Sequence, residues 1–299
     1  MVEELVELDK PLAYILGTQP FHPLPIELLV RPPSLIPRPE TEHWVSLLTG
    51  RFLASNAFSR SASTRPFRIL DIGTGTGCIA LGLTYGLSQA GRRAVQTLAV
   101  DRSDSALSLV RENAERCSLL PFSSSSASSS FVSLLQADVF SPAFPSAALS
   151  ALNHSSPHPH SPGPRQPFDL VVSNPPYIPL SDYAQLERSV RDWEDRGALV
   201  GEVPSSSSSL AADAFPTAGA DDGLVFYRRI TSILDQLLSP SAFSTSAVGG
   251  ESAPMVAFEV GKGQARVVEQ LLVEKGLRAE VVADPWGVER AVFGYAKHR

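Results

Sequence analysis

The chain has 299 residues, 43% of them hydrophobic, enough to bury one large core with a small appended region. Its 25 basic and 31 acidic residues leave a net charge of −6, which gives no electrostatic grip on a phosphate backbone unless the charges segregate, so direct nucleic-acid binding is not expected. The two cysteines, Cys78 and Cys117, are too few for a disulfide framework or a cysteine-rich zinc site, and no apolar run approaches the roughly 18 to 20 residues that cross a bilayer, so neither a metal nor a membrane partner is expected.

The first ten residues are acidic, unlike the Arg-rich transit peptides of organelles, and carry no legible address. Proline then recurs through Pro11-Leu-Ala-Tyr-Ile-Leu-Gly17 and Leu35-Ile-Pro-Arg-Pro-Glu-Thr-Glu42, which rules out long helices there. We read residues 1–45 as a short, Pro-rich extended or hairpin segment, with a helix starting near Thr41 and running through Leu48. A polar linker over 55–64 leads to Arg68-Ile-Leu-Asp-Ile-Gly73, an apolar run ending in glycines, and then to the apolar Cys78-Ile-Ala-Leu-Gly-Leu83. That order is strand, tight turn, helix. The alternation recurs as a strand over 97–101, a helix over 105–116, and strands over 131–135 and 168–173. Helical periodicity follows over 224–238, a buried strand over 255–260, a helix over 264–275, and closing strands over 279–283 and 291–295.

About seven strands spaced by helices fit one α/β domain, residues 46–299, built on a parallel, doubly wound, Rossmann-like sheet. Three segments break the rhythm, near 122–130, 141–167 and 203–220. Their serine and proline bury too little surface to offset the entropy of ordering, which predicts mobile surface insertions. His154, His158 and His160 fall in one of them and read as a solvated loop rather than a metal site.

Asp71-Ile-Gly-Thr-Gly-Thr-Gly77 sets Gly73, Thr74, Gly75 and Gly77 between a strand end and a helix start, where backbone can approach a ligand closely. The loop alone does not choose its ligand, because Gly75-x-Gly77-x-x-Ala80 also satisfies the looser dinucleotide pattern. Asp101 ends the second strand, where a carboxylate can accept both hydroxyls of an adenosyl ribose in either cofactor class. Asp138 follows the third strand and can either bond an adenine amino group or cap its own loop.

Asn174-Pro-Pro-Tyr177 is the deciding motif, placed directly after an apolar strand at the carboxyl end of the sheet. Pro175 and Pro176 stiffen the turn and remove two N–H donors. The Asn174 side-chain oxygen and the Pro175 carbonyl remain as acceptors that can converge on a planar NH2 group. Holding those hydrogens raises lone-pair density on a nitrogen otherwise conjugated into an amide or a ring, while Tyr177 packs against the target group. Such positioning lowers a methyl-transfer barrier by proximity and by acceptors placed where positive charge develops.

With these motifs in place the chain resembles the HemK/PrmC family of protein-glutamine methyltransferases, which modify the glutamine of the Gly-Gly-Gln motif in peptide-chain release factors. The resemblance spans nearly the whole sequence. It rests on residues 71–77 and 174–177 and, with far more specificity, on residues 11–17 and 35–42. Residues 190–194 with Ala198 and Leu199, 222–224 with Tyr227, 258–261, and Asp284 with Glu289 and Arg290 are similar as well.

The resemblance implies a class I methyltransferase fold and S-adenosyl-L-methionine as cofactor, held by Asp71, Gly73, Thr74, Gly75, Gly77, Asp101, Asp138 and Asn174. It implies a glutamine held by Asn174, Pro175, Pro176 and Tyr177, with Arg38, Pro39 and Thr41 near the bound cofactor or the mouth of the site. Bacterial members carry a helical recognition domain ahead of the Pro-Leu-Ala-Tyr segment. Only about ten residues stand there in this chain, so residues 1–45 are expected to be a remnant of that region. The serine-rich insertions look eukaryotic and the N-terminal signature resembles the mitochondrial branch; with no targeting signal, a cytoplasmic location stays open. Among rivals, a base amino-methyltransferase could use the same acceptors on a flipped base but lacks a basic recognition domain. A nicotinamide-dependent oxidoreductase leaves Asn174 to Tyr177 without a role. A catalytically idle domain that serves as a binding partner would have no need of intact Asn174, Asp101 and glycines.

Overall fold

Residues 67–72, every one of them buried, form the central strand of the molecule, and the rest of the fold is arranged around it. The computed structural model describes residues 2–55, 58, 65–91, 93–121, 129–152, 166–203, 221–239 and 253–297. In chain order it opens with α1 (Val2–Glu7), α2 (Leu12–Leu16), β1 (Thr18–Gln19), β2 (Leu28–Leu29) and α3 (Pro39–Ala54). The first half of the sheet follows as β3 (Phe67–Ile72), α4 (Cys78–Ser88), β4 (Val95–Asp101), α5 (Asp104–Arg116), β5 (Phe131–Gln136), α6 (Phe144–Ala151) and β6 (Leu170–Ser173). The second half contains α7 (Leu180–Tyr183), α8 (Arg188–Arg191), α9 (Arg196–Leu199), α10 (Val225–Ser232), α11 (Leu234–Leu237), β7 (Pro254–Glu259), α12 (Ala265–Glu274), β8 (Arg278–Ala283) and β9 (Glu289–Tyr295).

Seven strands lie in the order β5-β4-β3-β6-β7-β9-β8. β3 pairs in parallel with β4 and β6, which sets Asp71 beside Ala99 on one side and Val172 on the other. The order in which strands are added reverses at β3, to β4 and β5 on one side and to β6 on the other, so loops from β3, β4, β5 and β6 converge at one end of the sheet, where α/β proteins bind ligands. Alternate residues feed two apolar layers. Leu70, Ile72, Val171 and Phe258 face one, and Ile69, Leu170, Val172 and Ala257 the other. Burial on both faces explains why these strands read as continuous apolar runs.

The seven-stranded, doubly wound sheet is present as expected, and its parallel pairing gives way at one edge, where β9 runs antiparallel to both β7 and β8. Only residues 284–288 join β8 to β9, too few for the crossover that a parallel pair requires. The insertion expected over 141–167 is corrected too, because α6 lies inside it. Phe144, Ala148 and Leu152 recur at helical spacing and bury against the core, so this short apolar stripe outweighs the Ser/Pro composition around it. Residues 122–128, 153–165 and 204–220, which hold most of the other expected insertions and the three histidines, lie outside the described residues. The helix expected over 224–238 breaks at Ile233 into α10 and α11.

At the N-terminus the expected hairpin is present, as β1 pairs antiparallel with β2, but two short helices precede it. α3 runs past Leu48 to Ala54. Pro39 stands at its start, Glu40 and Glu42 oppose the positive end of its dipole, and Arg51 favours the other end. Arg51 also clamps the helix to β8 through a two-pronged pair with Glu280, at 2.6 and 2.8 Å. Among the described residues no helix is long and apolar enough to cross a membrane, and no group of three His, Cys, Asp or Glu side chains is placed to hold a metal ion.

Candidate active site at the carboxyl end of the sheet

The glycine loop leaves β3 with its backbone tied to the next strand, as the N–H groups of Gly73 and Thr74 both donate to the Val100 carbonyl, at 2.9 and 3.0 Å. Gly73, Gly75 and Gly77 all have positive φ, at 72°, 55° and 83°. At Gly77 a second constraint applies, since a Cβ there would stand 2.9 Å from Val110 Cγ1 on α5. A built Cβ at Gly73 or Gly75 meets nothing within 4 Å, so this stretch of backbone borders open space. Asp71 is wholly buried behind the loop. Its Oδ2 accepts from the Thr74 hydroxyl at 2.7 Å and the Ala80 N–H at 3.2 Å, while Oδ1 is buried with no partner among the described residues. Burial pushes the Asp71 carboxyl up to about 7.

Asp101 closes β4 with its carboxylate held at both ends, Oδ2 by the Gly75 N–H at 3.0 Å and Oδ1 by the Ser103 N–H at 2.9 Å. Burial raises the Asp101 pKa above the ordinary range, against the pull of those donors. Ser103 caps α5 by accepting from the Ala106 N–H. Past β5, the Phe140 N–H donates to Asp138 Oδ1 at 2.9 Å and fixes that carboxylate in a tight turn. Arg229, reaching from α10, binds the turn from behind through the carbonyls of Val139 and Ser141, at 2.7 and 3.0 Å.

Ser173 ends β6 and donates its hydroxyl to the Ile72 carbonyl at 2.7 Å, which locks the start of the Asn174 motif against the glycine loop. The far side of the motif is fixed by Gln264, whose Nε2 donates to the carbonyls of Tyr177 and Asp222 at 2.9 and 2.8 Å. Gly223 packs so tightly there that a Cβ would fall 2.0 Å from the Tyr177 carbonyl oxygen. Beyond it, Ile178 and Val200 form an isolated parallel bridge.

These loops enclose a pocket of about 120 Å³. Gly73, Gly75, Asp101, Asp138, Asn174, Pro175 and Pro176 all line it, with Val100, Ala106, Ala137, Val139 and Phe226 supplying apolar wall. Its roof comes from distant segments, residues 33–35 and Asp195, Gly197 and Ala198. The two are joined by the Asp195 N–H to the Pro33 carbonyl at 2.7 Å and by Arg38 Nη2 to both oxygens of Glu194 at 2.6 Å.

The remaining residues singled out from the sequence stand outside that lining. Asp71, Thr74 and Gly77 shape the loop from behind rather than facing the pocket. Tyr177 and Arg38 belong to an adjoining polar group with Glu40, Glu259 and Arg290. Burial raises the Tyr177 pKa well above the usual phenol range and keeps the hydroxyl protonated. Thr41 is buried and donates to Glu259 Oε2 at 2.6 Å, joined by Trp44 Nε1 at 2.8 Å. Spacing alone missed Asn113, which is fully buried on α5. Its Nδ2 donates to the carbonyls of Thr76 and Leu29 and its Oδ1 accepts from the Leu29 N–H, so it ties the glycine loop to the N-terminal hairpin. A lone asparagine on the buried side of an amphipathic helix was the available signal.

No family model matches the chain. Among solved structures, a SAM-dependent methyltransferase from Agrobacterium tumefaciens overlaps 95% of this chain and 71% of its own, at TM-score 0.47 and 14% identity. Closer in sequence is a release factor glutamine methyltransferase from Geobacter sulfurreducens, 31% identical over 286 residues, which are 95% of this chain and 73% of the relative. Its namesake from Gloeobacter violaceus is 32% identical over 293 residues, 97% of this chain and 76% of that one. With identity of that level sustained over nearly the whole sequence, the chain belongs to the release factor glutamine methyltransferase family.

Proposed function

We propose that the chain transfers a methyl group from S-adenosyl-L-methionine to the side-chain amide nitrogen of the glutamine in the Gly-Gly-Gln motif of a peptide-chain release factor. The observation that carries the reading is the meeting of Asp101, Asp138 and residues 174–176 in one pocket, in a chain of this family.

The residues present fit the cofactor. Open space beside Gly73 and Gly75 leaves room for a ligand against bare backbone, and the carboxylates of Asp101 and Asp138 are fixed at the ends of adjacent strands. Asp101 would hold the ribose hydroxyls and Asp138 the adenine amino group, with Ala106, Ala137, Val139 and Phe226 flanking the base. When bound, S-adenosyl-L-methionine supplies an electrophilic methyl group on a sulfonium. Asp71, Thr74 and Gly77 keep the cradle in shape from behind.

Asn174 and Pro175 act on the glutamine. The Asn174 Oδ1 and the Pro175 carbonyl accept the two amide hydrogens and turn the nitrogen lone pair out of conjugation. Both acceptors sit on a chain fixed by Ser173 on one side and Gln264 on the other, so little reorganisation is needed as positive charge grows on the nitrogen. The nitrogen sheds one of its protons after it has gained the methyl group, so no general base is needed beforehand. Tyr177, held protonated by burial, serves as a wall for the amide rather than as a base. The N-terminal signature over 11–17 and 35–42 supports a mitochondrial role in translation termination.

The test is transfer of labelled methyl to a purified release factor with its native Gly-Gly-Gln loop, beside a Gln-to-Ala version and duplex DNA. Label on the native factor alone is expected. Label on DNA, or equal label on the Gln-to-Ala factor, refutes the reading.

A further inference from the structure

Trp286 is 76% exposed, the one aromatic among the strongly exposed large apolar side chains of the described residues. It is not a floppy tip. The buried Asp284 carboxylate accepts the N–H groups of both Trp286 and Val288 through Oδ1, each at 2.9 Å. The turn is closed on both sides by the Gly287 N–H to the Asp284 carbonyl at 3.0 Å and the Asp284 N–H to the Val288 carbonyl at 2.8 Å. The other carboxylate oxygen accepts from Arg290 Nε at 3.3 Å.

The same ties place the turn beside the active site. β9 runs antiparallel to β7, so residues 284–290 stand at the end of the sheet to which β7 delivers Glu259 and β6 delivers Asn174. The Val260 N–H donates to the Arg290 carbonyl at 2.9 Å, and Arg290 pairs with Glu40 at 3.4 Å. Gly261, one residue on, lies so close to the Tyr177 ring that a Cβ there would stand 2.9 Å from its Cδ2. Turn, loop and Tyr177 form one continuous wall from the solvent to the Asn174 motif. The cofactor pocket ends short of it, since no residue of the turn lines that pocket.

We propose that Trp286 is a docking anchor for the release factor, contacting the factor's surface outside the methylated loop; this rests on the function proposed above. A small ligand in the pocket has no reach to the turn, whereas a protein that delivers a glutamine to Asn174 must lie across the wall that carries it. A large aromatic carried on a fixed backbone turn has only two side-chain torsions to lose on binding, and tryptophan is enriched among the few residues that dominate protein interfaces.

The experiment measures steady-state methylation by the wild type, Trp286→Ala and Trp286→Phe on two substrates, the intact release factor and a short peptide with only the Gly-Gly-Gln loop. The anchor predicts a KM for the intact factor raised about tenfold or more by W286A and less by W286F. It also predicts that kcat, the KM for S-adenosyl-L-methionine, the melting temperature and activity on the peptide stay as in the wild type. Unchanged KM for the factor overturns the anchor, as does an equal loss on peptide and factor, which would mean a distorted site. A dimer that W286A dissolves while the KM stays fixed overturns it in favour of a second copy of the chain. If the wild type leaves both substrates unlabelled, the function reading fails and the anchor with it.

Discussion

Replacing Asn174 with alanine removes one of the two acceptors assigned to the glutamine amide and little else. Its side-chain amide is hydrogen-bonded to no other described residue, and it lines the pocket half-buried. Truncation therefore breaks no internal bond among those residues and should shift folding stability by no more than about 1 kcal/mol. The cofactor contacts assigned to Asp101 and Asp138 stay in place. Affinity for S-adenosyl-L-methionine should accordingly fall less than about tenfold, or about 1.4 kcal/mol. The transfer step is another matter, because an acceptor facing developing charge in an enclosed site is worth about 2.7 to 4 kcal/mol, a factor of about 10² to 10³ in kcat. Calorimetric titration of the cofactor together with single-turnover methyl transfer separates the two quantities. Parallel losses of affinity and rate would refute the assignment, because they would make Asn174 part of the cofactor's binding surface alone.

The remaining predictions concern the loop beneath that site. Asp71 has its pKa raised by burial to about 7 in the folded state, against about 4 in the unfolded chain, so the folded state holds a proton that the unfolded chain releases between those values. Its contribution to stability therefore falls as pH rises from about 4 to 7 and is level above; melting curves over that range should decline less steeply for Asp71→Asn, and equal slopes would contradict the raised pKa. Gly77→Ala combines a φ of 83° with a Cβ 2.9 Å from Val110 Cγ1, which together should destabilise the fold by about 2 to 5 kcal/mol in chemical denaturation. Val110→Ala leaves a cavity of its own, so the steric part should appear as the coupling between the two substitutions in a double-mutant cycle, and a Gly77→Ala loss under about 1 kcal/mol would show that the loop relaxes.

What could be read from the sequence follows from how far apart the interacting residues lie. The central strands were legible because both faces of the sheet are covered, so β3 and β6 are apolar throughout and their glycine and proline punctuation stands out. Asp101, Asp138 and Asn174 were legible for a related reason, since each lies at or just past a strand end and the α/β topology alone brings such positions together. Local composition misled where a short apolar stripe sits among serines and prolines, as at Phe144, Ala148 and Leu152. It was silent where a contact joins remote segments. Nothing near Asn113 announces that it bonds Leu29, 84 residues away, and nothing near Trp44 announces Glu259, 215 residues away.

Arg38 shows what such long-range pairing does to an assignment of role. Its motif invites a direct hold on substrate, yet Nη2 is taken up by both oxygens of a Glu194 side chain with no exposed surface, 156 residues further on. Burial raises the Glu194 pKa, the expected response of a carboxylate whose water has been removed, and Arg38 is the cation that opposes the shift. The pair fixes the N-terminal segment to the chain between Ile178 and Val200, and the neighbours of its two members, residues 33–35 and Asp195, Gly197 and Ala198, are the two halves of the pocket roof. Leaving Glu194 buried without its partner would favour separation of those halves over retention of an uncompensated charge. The Arg38–Glu194 pair therefore bears on the width of the pocket, and the N-terminal segment, which the sequence marks only as proline-rich and extended, becomes one of the pocket's walls.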